Sequence, residues 1–228
     1  MTFSYSGFTS PQQRRRHLLA EITQDAAMTP IDTGCCVISQ KVMTALGKVD
    51  RGRFVPDEQS CFAYENHPLP IGFNQTISQP YIVALMTDLL DLQPDDRILE
   101  IGTGSGYQAA VLSELVAQVY SVEIIEALGK QAKAKLANMG YKNVSVKIGN
   151  GREGWPEFAP FDAIMVTAAP RELPPELVQQ VKIGGKIIVP LGSQFGYQEL
   201  VLMSKNENNQ LTLRHVLPVS FVPLTGDD

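Results

Sequence analysis

The sequence predicts an α/β fold: a mostly parallel sheet of about seven strands, helices on both faces, and an antiparallel pair of strands at one edge. Three observations carry that expectation. From Arg97 onward, apolar runs alternate with helix-period segments of about ten to fifteen residues, the pattern of repeated βαβ units. The runs themselves, RILEIG and FDAIMV among them, are almost continuously apolar, as strands covered on both faces must be. Past Gly196 the pattern changes to two extended segments, QELVLMSK and LTLRHVLPVSFV, joined by the polar residues 206–210, which predicts a hairpin.

Taken in chain order, Leu18, Leu19, Ile22 and Ala26 recur at helix spacing and predict an amphipathic helix over residues 11–28, with a second over 37–46. Residues 1–48 then form a helical extension ahead of a single structural unit at 49–228. In the segment PLPIGFNQTISQPYIVALMTDLL, Ser78 is expected to cap a helix with Pro80 in its first turn. A capped helix N-terminus is an anion site, and the hydroxyls of Thr76 and Ser78 add donors toward a carboxylate. The sheet follows as strand 97–102, helix 107–118, strand 119–124, helix 126–140, strands 143–149, 161–166 and 184–192, and the final hairpin.

With 228 residues, 44% hydrophobic and 19% charged, the chain has the composition of one large domain with a sizeable core. A net charge of -5 leaves no broad basic field for phosphate backbones, and the arginine run at 14–16 is too short to supply one. No nucleic-acid partner is expected. No stretch approaches the ~20 apolar residues of a membrane span, and no apolar segment follows the N-terminal charges, so a cytoplasmic protein without a membrane partner is expected. Cys35, Cys36 and Cys61 contain no CxxC pair and suit neither a disulfide framework nor a zinc site. His17, His67 and His215 are too scattered for a metal cluster, and no metal is expected. Cys61 and His67 lie close in sequence, which is not the geometry a cysteine hydrolase needs. Trp155 and Phe158 are expected in core packing, not on a base-stacking platform. A monomer is the default expectation for the assembly.

The strand RILEIG runs directly into Gly102, Gly104 and Gly106 and then a helix, the geometry in which backbone approaches a bound nucleotide closely. An acid, Glu123, closes the next strand at the distance where a carboxylate reaches ribose hydroxyls. The third glycine comes one residue too early for a dinucleotide fingerprint, and Glu100 just before the turn would repel a pyrophosphate. Two acids suit S-adenosylmethionine, with its ammonium, sulfonium and free ribose diol, better than NAD. None of the tyrosines has a lysine four residues later, as a short-chain dehydrogenase would require.

The stretches LPIGFNQTISQP, LEIGTGSGYQAAVL, YSVE, GNGREGW, APFDAIMVTAAP, GGKIIVPLG and FVPLTG, with RGRFVP ahead of them, resemble the protein-L-isoaspartate O-methyltransferases over roughly residues 50–226. The resemblance implies a Rossmann-like class I methyltransferase fold, S-adenosylmethionine as cofactor, and isoaspartyl proteins and peptides as substrates. It places the TIS motif, here Thr76, Ile77 and Ser78, against cofactor and substrate, with Ser78 at the active centre and Thr76 facing the isoaspartyl carboxylate. The glycine loop, here Gly102, Thr103, Gly104 and Gly106 with Glu100, wraps the methionine part, and Glu123 takes the ribose. Asn150 and Gly151 fall near the adenine, and Thr225 of PLTG lies close to the site. Three positions depart from the family pattern: Asn74 replaces a glycine, Asn150 an aspartate, and Ile124 a basic residue. Asn tolerates a left-handed backbone better than most residues, and an amide oxygen still accepts from an adenine amino group.

An α-carboxyl, with a pKa near ~3.5, is ionised at pH 7, so such a reaction needs aim and not a general base, and Ser78 is expected to orient the acceptor as a donor. The resemblance further implies that the methyl ester closes to a succinimide, which reopens partly to normal aspartate. Two other readings stay open on sequence: a diverged methyltransferase acting on another carboxylate, and a homologue that binds without turnover.

Overall fold

A computed structural model describes residues 10–34, 37–193 and 196–226; Cys35 and Cys36 lie outside them. Helix α1 (Pro11–Met28) starts at a capping box: Ser10 Oγ accepts from the Gln13 amide and the Gln13 side chain accepts from the Ser10 amide. Its buried stripe is Leu18, Ile22 and Ala26, spaced one turn apart. A short α2 (Pro30–Thr33) precedes α3 (Gln40–Lys48), which starts three residues later than the apolar spacing suggests. Ser39 is extended, at ψ 149, and its amide is taken by Asp88 Oδ1 at 3.0 Å, so the helix begins only after it.

Beyond two 3-10 turns, Leu69–Gly72 (β1) and Gln75–Ile77 (β2) pair as a small antiparallel hairpin that the sequence pattern does not announce. Phe73 and Asn74 turn it at φ 53 and 56, so the asparagine does sit in the left-handed region. Helix α4 (Pro80–Leu89) follows with Gln79, not Ser78, at its N-cap. The capping acceptor comes from elsewhere: Asn66 Oδ1 takes the Tyr81 amide at 3.0 Å.

The main sheet contains β3 (Arg97–Ile101), β4 (Gln118–Glu123), β5 (Val144–Ile148), β6 (Phe161–Val166), β7 (Val181–Gly192), β8 (Gln198–Lys205) and β9 (Leu211–Val219). Their spatial order is β5-β4-β3-β6-β7-β8-β9; β8 pairs antiparallel with both β7 and β9, the hairpin with β9 as predicted, and the other pairings are parallel. Between strands stand α5 (Tyr107–Ser113), α6 (Glu126–Asn138) and α7 (Pro175–Gln180). Helix α5 is five residues shorter than its apolar run because Asn143 Nδ2 caps the carbonyls of Ser113 and Val116, after which Gln118 enters β4.

The sheet divides the core in two. Ile98, Val119 and Met165 pack with α1, α3, α4, α5 and α6, whereas Leu99, Ile101 and Val166 pack with Leu177 of α7. Trp155 packs on this second face, in line with the role expected of it, whereas Phe158 stacks on Tyr120 but stays exposed and is not part of the core. Among the described residues no helix is long and apolar enough to cross a membrane.

Helix α1 shares one continuous core with α4 and α5, so we propose that the extension and the unit at 49–228 unfold together. Ile22, 1% exposed, tests this: Ile22→Ala should lower stability by about 2–5 kcal/mol and shift a single urea transition seen by fluorescence and circular dichroism alike. Two separated transitions would divide them.

Candidate active site

In an open parallel sheet, a crevice forms at the carboxyl ends of the strands where the order reverses. Here the reversal lies between β3, whose successors run toward β5, and β6, which leads to β7. At that point opens a cleft. Its floor is the turn after β3, where Gly102, Thr103 and Gly104 line it; Glu123 at the end of β4 and Thr167 after β6 form the sides. Thr76, Ile77 and Ser78 cover it from the hairpin, and residues 222–225 close the last side. Those residues are clipped in place by bonds between Ala169 and Val222 and between Leu224 and Ala169, at 2.7 and 2.9 Å.

The glycine turn is held by its neighbours' side chains. Glu123 Oε2 accepts from the Gly104 amide at 2.7 Å and Oε1 from the Ile125 amide at 2.9 Å. Thr167 Oγ1 donates to the carbonyls of Ile101 and Gly102 at 2.9 and 2.7 Å. Gly102 adopts φ +98, and a Cβ there would stand 2.5 Å from Thr167 Oγ1, so conformation and space both demand glycine. Thr167 escapes sequence reasoning that follows only the glycines and acids; its position just past a parallel strand at the switch point is the signal that finds it.

Three expected site residues sit elsewhere. Glu100 is fully buried behind the cleft wall, where Ser121 donates to its Oε2, Thr103 Oγ1 contacts Ser121 Oγ at 2.6 Å, and Oε1 has no partner. Burial, reinforced by the charge of Glu123 and opposed by the Ser121 bond, pushes its carboxyl up to about 8. Gly106 caps α5 at φ +88 and packs on α6, where a Cβ would meet Leu136 at 3.2 Å; it does not line the cleft. Asn150 spends its amide on the chain: Oδ1 accepts from Arg152 and Nδ2 donates to the Gly226 carbonyl at 2.9 Å. Its neighbour Gly151 lines the cleft, as do Ile124 and Thr225.

A second groove adjoins the first and is walled by Pro68, Gln79, Tyr81, Ile82 and residues 217–222. Thr76, Ser78, Thr167 and Val222 border both cavities. Because Asn66 caps α4, the Ser78 hydroxyl is left for this shared wall. Cys61 is exposed on a 3-10 turn, and each histidine stands beside its own carboxylate, His17 at Glu21, His67 at Glu65 and His215 at Glu199.

A glycine turn after the first parallel strand, an acid closing the second and an antiparallel carboxyl-terminal edge define a class I methyltransferase fold. The chain belongs to the protein-L-isoaspartate(D-aspartate) O-methyltransferase family, whose model matches residues 23–228 and so begins well before the residue 50 that the motifs alone suggest. A Polaromonas sp. protein named protein-L-isoaspartate O-methyltransferase 2 is 52% identical over 209 residues, covering 92% of this chain and 99% of the relative. Protein-L-isoaspartate O-methyltransferase 1 of Nitrosospira multiformis is 57% identical over 185 residues, covering 81% of this chain and 78% of its own. A solved structure named protein-L-isoaspartate O-methyltransferase superposes with a TM-score of 0.82 at 29% identity, over 93% of this chain and 66% of that one. A Plasmodium falciparum chain of the same description, solved with S-adenosyl-L-homocysteine, gives 0.78 at 23% identity over 92% of this chain and 98% of its own, and shows the shared fold.

The state of Glu100 has a measurable sign. Its folded value of about 8 exceeds the ordinary 4.5, so the folded chain keeps a proton that the unfolded chain releases, and stability falls as pH rises between those values. Glu100→Gln should therefore gain stability relative to the unmodified chain between pH 5 and pH 8 in thermal unfolding, while an unchanged difference would mean that Glu100 is ionised in the fold.

Proposed function

We propose that the chain transfers the methyl group of S-adenosylmethionine to the free carboxylate of L-isoaspartyl residues in proteins and peptides, with the cofactor in the cleft and the peptide in the adjoining groove. The observation that carries this is the shared wall: the two cavities meet at Thr76, Ser78, Thr167 and Val222 and nowhere else among the described residues.

The residues present fit the cofactor. Glu123 lines the cleft with each oxygen bonded to one amide, leaving a lone pair on each for ribose hydroxyls. Glu123 is the carboxylate that lines the cleft among the described residues, which favours a cation and opposes a pyrophosphate. Ile124, Gly151 and Thr225 form the far end, where the adenine would lie between an apolar side chain and backbone. When bound, the cofactor supplies an electrophilic methyl group on a sulfonium.

The chain's own work is then alignment. The acceptor carboxylate is ionised at neutral pH, and no histidine, lysine or arginine lines either cavity among the described residues, so no general base is called for. Ser78 Oγ has no bonded base that would make it a nucleophile; its hydroxyl and that of Thr76 donate to one carboxylate oxygen and aim the other along the shared wall. Tyr81, Ile82 and Phe221 exclude water from the groove, which strengthens those bonds. In the product, methoxide leaves more readily than oxide, so the peptide's next main-chain nitrogen closes a succinimide with loss of methanol, and hydrolysis returns part of the chain to normal aspartate. We place this repair in the cytoplasm.

Radiolabelled cofactor with paired peptides, one isoaspartyl and one aspartyl, tests the reading: selective labelling of the first is expected. Labelling of a different acid alone, or binding without transfer, would overturn it. Ser78→Ala should lose on the order of 10²-fold in kcat while keeping its affinity for S-adenosylhomocysteine; full turnover would remove Ser78 from the orienting role.

A further inference from the structure

The groove assigned to an anionic acceptor has no cationic side chain on its walls, and neither has the cleft beside it. The positive charge bonded to this wall lies one layer deeper. Arg51, in the 3-10 turn Arg51–Phe54, is 1% exposed, and its guanidinium donates to three main-chain carbonyls: Ala63 at 2.7 Å, His67 at 3.1 Å and Ser78 at 3.1 Å. One of these acceptors, Ser78, lines the groove, and a second, His67, directly precedes Pro68, which lines it too. Among the described residues Arg51 has no carboxylate within 4.0 Å, and its Nε has no partner; the neighbouring Asp50 is committed to Arg15, Tyr64 and the Gly52 amide. On the cleft side its Cζ stands 6.0 Å from the ring of Tyr107, which lines the cavity. Burial lowers the guanidinium only to about 10, so it is charged at neutral pH.

A buried, unpaired cation is costly unless something at the site uses it. We propose that Arg51 is the positioning residue for the substrate carboxylate: from one hydrogen bond behind Ser78 it supplies the positive charge that the groove walls lack and fixes the backbone from which the Ser78 hydroxyl donates. The placement has a chemical logic. A guanidinium on the wall itself would form a bidentate pair with both carboxylate oxygens and lower the nucleophilicity of the one that must attack. Set behind the serine, it attracts the anion without bonding the attacking oxygen.

This assignment rests on the proposed function, and the test separates the two. S-adenosylhomocysteine has a neutral sulfur, so in the enzyme loaded with it a preference for an anionic peptide does not come from a sulfonium, and its change between variants reports the protein. Calorimetric affinities are compared for an isoaspartyl peptide and its neutral, isosteric isoasparaginyl counterpart. The unmodified chain should prefer the anion at least tenfold. Arg51→Gln, which keeps donors without charge, should bring the ratio to within twofold of unity, and Arg51→Lys should retain most of it. Both variants should hold their affinity for S-adenosylhomocysteine within threefold. A ratio unchanged in Arg51→Gln, or lost equally in Arg51→Lys, overturns the assignment. Should the glutamine variant not fold, equal binding of the two peptides by the unmodified chain also overturns it. If the unmodified chain methylates no isoaspartyl peptide, it is the proposed function that falls.

Discussion

A turn built on glycine has no side chain with which to hold itself, and the turn after β3 is held from outside. Glu123 reaches across from the end of β4 to take the Gly104 amide, and Thr167 reaches back from the end of β6 to the carbonyls of Ile101 and Gly102. Both anchors exist because β3 lies between β4 and β6 in parallel register, with Ile101 opposite Val122 on one side and Val166 on the other. The cleft is therefore a product of strand order: exchanging β6 for any other neighbour would leave the turn unsupported on one side. The same order brings the loop after β6 under residues 222–224, which places Thr225 at the rim.

The two acids near this turn illustrate how environment divides identical groups. Glu123 faces a pair of backbone amides and remains at the cavity wall. Glu100, on β3, is enclosed on both sides by paired strands and finds one hydroxyl donor, so burial outweighs its single bond and it holds a proton at neutral pH. The free cleft thus presents one formal negative charge on its wall, with a second held in reserve behind Thr103.

Much of this was legible in the sequence, and the exceptions have physical causes. The periodic segments match α1, β3, β4, β5, β6 and β8 to within one residue, while β7 starts three residues before its apolar run and the exposed β9 stops three residues short of it; the strands buried on both faces write themselves as uninterrupted apolar runs. That same property hid the side on which Glu100 lies: where both faces are dry, alternation carries no information. The glycines and Glu123 announced a nucleoside site, but Gly106 proved to serve the packing of α5 on α6, since a left-handed helix entry and a ligand contact look alike in sequence. The β1–β2 hairpin was missed because its turn is Phe73 and Asn74, where glycine is the usual signal. Ser78 resembled an N-cap and was not one, because its rival Asn66 comes from a distant loop that no local rule can see.

That rival cap also explains why the helical extension belongs to the site. Asn66 can serve α4 because its own side chain is fixed by Asp25 of α1 at 2.7 Å. On the neighbouring turn, Arg15 of the same helix pairs with Asp50 at 3.3 Å, and Tyr64 donates to that carboxylate. With Asp50 so occupied, Arg51 is left to the carbonyls of Ala63, His67 and Ser78. Helix α1 thereby acts on the shared wall at two points: it frees the Ser78 hydroxyl by supporting a substitute cap, and it keeps the nearest carboxylate from neutralising the cation behind that serine. A helix that touches neither cavity is in this way part of the geometry by which the wall between them works.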